Sequence, residues 1–326
     1  MMAPPRAAVL LALALASFAT LVQLPLAALA QYPVKPIRVV VPFPGGGGPA
    51  NMAGRIVQLM GTALGQPIIV DNRPGAEGAI GADIVLKSTP DGHTLFVGTN
   101  TAMSALPHLR KVPPYDPLTA FAPVGLVGRF TFFLIAHPSL PAKTVAELLE
   151  YARANSGRLS YASGNSGGIV MMAQFATANR LDMVHVPYKG DVAAINDFGA
   201  GRVQLMFAST TFLSLIREGR LRALAVVLPN RTPLLPEVPT LAEAGANAVT
   251  VEIWGGLFAP ARTPKPVVER LNRELNAVLQ SAEGRDLLER EGIMAQVSST
   301  GEFAAHVRRQ YEIWGQAIRA AGIPQE

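Results

Sequence analysis

Two short runs in this 326-residue chain have the residue types and spacing of chemical motifs. Gly164-Asn165-Ser166-Gly167-Gly168 matches G-x-S-x-G, the turn that lifts a nucleophilic serine between a strand and a helix. Asp197 and His306 follow it in the chain order that a hydrolase triad requires. Gly45-x-Gly47-x-x-Ala50 lies between a strand-like and a helix-like run, with Asp71 roughly 20 residues beyond, as in a dinucleotide fingerprint. Each run carries an objection. Pro49 falls where the dinucleotide helix must pack closely, and His306 lies in a polar helical stretch assigned below to the other domain from Ser166. His93, His108, His137, His185 and His306 lack metal-ligand spacing, and His185 alternates with Val184 and Val186 as a strand residue does. The chain has no cysteine, which excludes disulfides, thiolate metal sites, a cysteine nucleophile and a lipid-modified cysteine anchor. Neither a metal nor a cofactor is expected.

A simpler chemistry suits both runs. Each is a glycine-rich loop leaving a strand and opening a helix, where free N–H groups and the helix dipole favour an anion and glycine lets the backbone approach it. The elements around them occur twice. A strand over 37–43, a helix over 51–64, a strand over 67–70, a turn, a helix ending at 85 and a strand over 94–98 form the first unit. The second repeats the pattern, with strands over 159–162, 183–186 and 203–207 and helices over 169–179 and 192–198. A helix between consecutive strands implies parallel pairing, so the chain reads as two similarly wound α/β domains joined by hinge strands. The apolar stretch 124–136 is the outward hinge. The return runs through 221–227 and 253–259, and helices from Pro266 and Gly301 then cover the first domain. The boundaries are 31–129 with 253–326 for the first domain and 130–252 for the inserted second.

Ligands of such sheets lie beyond the carboxyl ends of the strands. That selects Gly46, Gly47, Gly48, Pro49, Ala50, Asn51, Asn100 and Thr101 in the first domain, and Ser163, Gly164, Asn165, Ser166, Gly167, Ala208 and Ser209 in the second. Tyr188, after a strand end, and Trp254, near the hinge, are candidate aromatic walls. The two loops should hold a carboxylate by backbone N–H groups, with hydrogen bonds donated by Asn51, Thr101, Ser163, Asn165, Ser166 and Ser209.

Residues 1–30 read as a cleaved secretory signal: Arg6, apolar runs over 7–16 and 21–29, and Ala28-Leu29-Ala30 before Gln31. Ser17, Thr20 and Gln23 interrupt the run and argue against a membrane anchor. The destination is the periplasm. The net charge of +5 is scattered rather than clustered, so nucleic acid is not an expected partner. A monomer is expected.

Several short motifs also carry a family resemblance. They include Tyr32-Pro33-x-Lys35-Pro36-Ile37-Arg38, Asn72-Arg73-Pro74-Gly75-Ala76, Pro90-Asp91-Gly92, Pro114-Tyr115-Asp116-Pro117, Val186-Pro187-Tyr188-Lys189-Gly190 and Pro236-Glu237-Val238-Pro239-Thr240. In order and along the whole mature chain, these resemble the tripartite tricarboxylate transporter receptors, also called Bordetella uptake proteins. The resemblance implies a type II periplasmic binding fold that closes like a Venus flytrap on an organic carboxylate and delivers it to a membrane permease. It maps the binding loops onto 46–51 and 163–168. Three departures remove charge. Asn51 follows Pro49-Ala50 where the family commonly has an aspartate in the first loop, 169–174 reads IVMMAQ in place of a His and a Glu, and Ala208 replaces a common Asp. A less acidic cleft, suited to a larger or more hydrophobic carboxylate, is therefore expected. The alternatives are an exported serine hydrolase using Ser166 and a solute sensor feeding a signalling kinase.

Overall fold

A computed structural model describes residues 32–45, 48–188, 190–246 and 249–325, with the backbone alone described at 48–52. Residues 1–31, read above as containing an export signal, and Gly46, Gly47 and Lys189 lie outside the described residues. In the first lobe, β1 (Ile37–Val41), β2 (Ile68–Asn72) and β3 (Thr94–Thr99) are parallel in the order β2-β1-β3. Helices Gly48–Leu64 and Ala79–Leu86 connect them. The β1 run is apolar throughout apart from Arg38, and Ile37, Val39, Val40 and Val41 are fully buried, as befits a strand covered on both faces.

The chain then crosses between lobes in one short step. β4 (Phe121–Phe130) belongs to the first sheet, β5 (Phe132–Ala136) to the second, and Thr131 is the single residue between them. The second sheet repeats the first: β6 (Ser160–Ser163), β7 (Val184–Pro187) and β8 (Leu205–Ser209) are parallel in the order β7-β6-β8, with β5 antiparallel beside β8. β9 (Arg222–Val226) pairs with β5 at the sheet edge, so 221–227 does not carry the chain back as expected. The return lies just before β10 (Trp254–Pro260), which runs antiparallel between β3 and β4. The two crossing segments are tied where they meet: Phe130 N donates to Ile253 O at 2.8 Å, and Arg129 Nε donates to Glu252 Oε2 at 2.7 Å.

Helix starts differ from the expected bounds for a local reason. The first loop's helix begins at Gly48, which places Pro49 in the first turn, where its missing N–H costs nothing. Helix Ser166–Asn179 begins three residues early because Asn165 caps it, its Oδ1 accepting from Gly168 N at 2.9 Å. Residues read as loop are thus first helical turns.

The C-terminal helix also departs from expectation. Thr300–Ala320 starts with a capping box between Ser299 and Glu302 and packs Phe303 and Val307 into the first lobe. Its end, with Trp314, Ala317 and Ile318, is buried against the second lobe's core instead of the first. Helix Ala282–Arg290 and β11 (Ile293–Ala295), which pairs with β4, bring 291–293 to the crossing. Both came unheralded by sequence pattern.

Candidate functional site

A cavity of about 210 Å³ lies between the lobes, beside the crossing strands. Phe43, Thr99, Asn100 and Thr101 line it from the first lobe, and Asn165, Asp191 and Ser209 from the second. Phe130, Phe132 and Ile253 of the crossings supply apolar wall, and Glu291, Gly292 and Ile293 a further edge. Phe43 and Asn165, the residues that lead into the two glycine-loop helices, therefore face one space.

On the second-lobe side the polar groups form a closed network. Asp191 Oδ1 accepts from Asn165 Nδ2 at 2.8 Å and Oδ2 from Ser209 Oγ at 2.9 Å. Burial pushes the Asp191 carboxyl above the usual carboxylate range, against the opposing pull of those hydrogen bonds. Asn165 both caps the helix and donates to Asp191, which fixes its side chain at the cavity wall with a second amide hydrogen still available. Gly164 is required by that arrangement, since a Cβ there would lie 2.3 Å from Asp191 N. On the first-lobe side Thr99 is 4% exposed and its Oγ1 has no hydrogen-bond partner. A buried hydroxyl without a partner costs stability as it stands.

A second space of about 380 Å³ adjoins the other side of the 163–166 loop. Ser163, Gly164, Ser166 and Tyr188 line it, with Glu77 and Arg110 from the first lobe. Ser163 Oγ lies 2.6 Å from His185 Nε2, and the Tyr188 hydroxyl donates to Asp197 Oδ2 at 2.8 Å. Ser166 Oγ is buried and without a partner.

Several expectations are corrected. Trp254 is wholly buried, packed against Phe258, Phe303 and His306, and lines neither space, because β10 is an inner strand. Ala208 lies inside β8, also wholly buried, so its side chain faces core and not ligand. Gly167 is buried, and a Cβ on it would lie 2.9 Å from Ile253 Cδ1; this glycine admits the crossing strand. Gly48, Pro49, Ala50 and Asn51 form the first helical turn. The expected loss of acid from the cleft is offset by Asp191 and Glu291. Asp191 had a readable signal, an acid opening a helix just beyond a strand end. The three phenylalanines and Glu291 had none, since only the crossing geometry turns them inward.

Neither enzyme-like motif assembles. Asp197 is held by Tyr188 and Arg202, while His306 packs on Trp254 with Arg309 at its Nδ1. Asp71, the ribose-binding candidate, is paired with Arg38 and Arg73.

Two α/β lobes with equivalent winding, two strand crossings and a cavity between the lobes define a two-lobed solute-binding protein. Residues 53–323 match the family described as tripartite tricarboxylate transporter family receptor, and the chain belongs to that family. Among curated relatives, the UPF0065 protein in the tcbD-tcbE intergenic region of Pseudomonas sp. (strain P51) is 37% identical, over 88% of this chain and 86% of its own length. Protein BugT of Bordetella pertussis is 31% identical over 89% of this chain and 90% of its own. Among solved structures, R. palustris Rpa4515 with adipate is 32% identical with a TM-score of 0.81, covering 90% of this chain and all of that one. MatC from Rhodopseudomonas palustris with bound malate is 30% identical with a TM-score of 0.74, covering 88% of this chain and all of that one.

Proposed function

We propose that the chain is a periplasmic receptor that captures a small organic carboxylate between its lobes and presents it to the membrane subunits of a tripartite tricarboxylate-type transporter. It works as a monomer, uses no cofactor and returns the solute unchanged. The observation that supports this reading is an inter-lobe cavity lined by Phe43, Thr99 and Asn100 of one lobe and by Asn165, the cap of a helix start that favours an acid, of the other. The adipate and malate carried by the two Rhodopseudomonas relatives support the ligand class. In this reading Thr101 and Ser209 contact it by their side chains, with backbone N–H groups from 48, 50 and 51 and from 164–168. Residues 1–30 act as the export signal, and the lobes divide at 129/130 and 252/253.

A ligand bound only by the folded state adds RT ln(1 + [L]/Kd), about 2.7 kcal/mol at a hundredfold excess over Kd. The midpoint of thermal unfolding should therefore rise by about 5 °C or more with a matching carboxylate. Mass spectrometry should recover that solute intact after incubation. Turnover of the solute, abolished by Ser166→Ala, would instead favour the hydrolase.

A further inference from the structure

Both crossings and the C-terminal helix meet at Glu252. Its carboxylate accepts from Arg129 of the outward crossing, from Nε to Oε2 at 2.7 Å and from Nη2 to Oε1 at 3.4 Å. Its N–H donates to Gln310 Oε1 and its carbonyl accepts from Trp314 Nε1, each at 3.3 Å, both on the stretch of helix that passes from one lobe to the other. The ion pair is partly buried, with Arg129 19% and Glu252 29% exposed, so water and salt screen it less than a surface pair. Neither residue lines the solute cavity. Phe130 and Ile253, the next residue along each crossing, do line it, and they are joined by the bond from Phe130 N to Ile253 O. Arg129 and Glu252 border instead a separate space of about 310 Å³, shared with Val227, Pro229 and Val251 of the second lobe.

Rotation of two lobes about a hinge is absorbed by the few residues that cross between them. Held side by side, the crossings turn about one axis. Freed from one another, each bends alone, and the lobes spread over spacings at which the two walls of the cavity no longer meet one solute. A receptor with only a fraction f of its molecules at the competent spacing binds with an apparent Kd of Kd/f. From this we infer that the Arg129–Glu252 pair is a positioning clasp, which sets solute affinity from outside the site by confining the lobes to a single path of closure. The inference rests on the receptor reading above and deepens it.

Two double variants test the clasp. Arg129→Gln with Glu252→Gln leaves no unpaired charge at the hinge, and Arg129→Glu with Glu252→Arg restores a pair of reversed polarity. Calorimetry on the purified mature chain, with adipate and malate as probes, is combined with small-angle scattering of the ligand-free proteins. The neutral variant should bind about tenfold more weakly and show a larger ligand-free radius of gyration than the wild type. The exchanged variant should recover most of both changes. Wild-type affinity in the neutral variant, weaker binding at an unchanged radius, or an exchanged variant that unfolds at the wild-type midpoint yet recovers neither change would overturn the clasp and leave the receptor standing. A wild-type chain that binds neither probe would count against the carboxylate reading and not against the clasp, which the ligand-free radii still decide.

Discussion

Thr99 carries a buried hydroxyl without a hydrogen-bond partner, in a residue that lines the inter-lobe cavity. A buried hydroxyl with no partner costs about 1–3 kcal/mol, and valine fills the same volume without that cost. Thr99→Val should leave the ligand-free protein equally stable or up to about 1 kcal/mol more stable, yet weaken solute binding about tenfold. Denaturant unfolding and calorimetry on one preparation would separate the two effects; a loss of stability would mean the hydroxyl serves the fold. His306 illustrates the opposite case, a polar residue absorbed by the core. Burial against Trp254 depresses its pKa to about 4, from 6.5 in an unfolded chain. The unfolded state then takes up a proton that the folded state refuses between those values, so stability present above pH 6.5 falls as pH drops toward 4. The loss is about 3 kcal/mol. Chemical denaturation across that window should show it in the wild type, with a smaller step in His306→Gln.

At the scale of elements, the two glycine loops carry different burdens. Gly164 is needed where β6 ends, since its Cβ would meet the backbone of 190–191, whereas the nearest atom to a Cβ on Gly168 is 3.5 Å away, an ordinary contact. Gly164→Ala should cost about 2–3 kcal/mol and weaken binding by displacing Asp191, and Gly168→Ala should be nearly neutral. Equal effects would contradict the packing role assigned to Gly164. The G-x-S-x-G spacing thus records a close approach of two loops as much as a binding surface, which is why the same five residues fit a nucleophile elbow on paper.

Across the whole molecule, the lobes are coupled by more than the two crossings. The C-terminal helix starts on one lobe and ends on the other, with Trp314 wholly buried and its Nε1 donating to Glu252 O at 3.3 Å, beside the crossing. Trp314→Ala should cost about 3–5 kcal/mol, read as a lowered unfolding midpoint in calorimetry. Solute binding should reduce the radius of gyration in small-angle scattering, as closure of two lobes on a ligand requires. An unchanged radius with tight binding would mean that the lobes are already set at their bound spacing.

The strand, loop and helix repeats, the parallel pairing and the outward crossing near 130 were legible in the sequence, because buried strands leave apolar runs and glycine marks the turns between elements. The candidate loops were legible for the same reason. Which of their atoms are free was not. Asn165 is fixed by a cap and by Asp191, Trp254 is taken up by an inner strand, and Phe130 and Phe132 are turned toward the solute space only by a crossing one residue long. Periodicity specifies which face of an element is apolar. Hydrogen-bond competition and the sign of charge in a cavity depend on residues far apart in sequence, such as Thr99, Asp191 and Glu291, and only the folded chain brings them together.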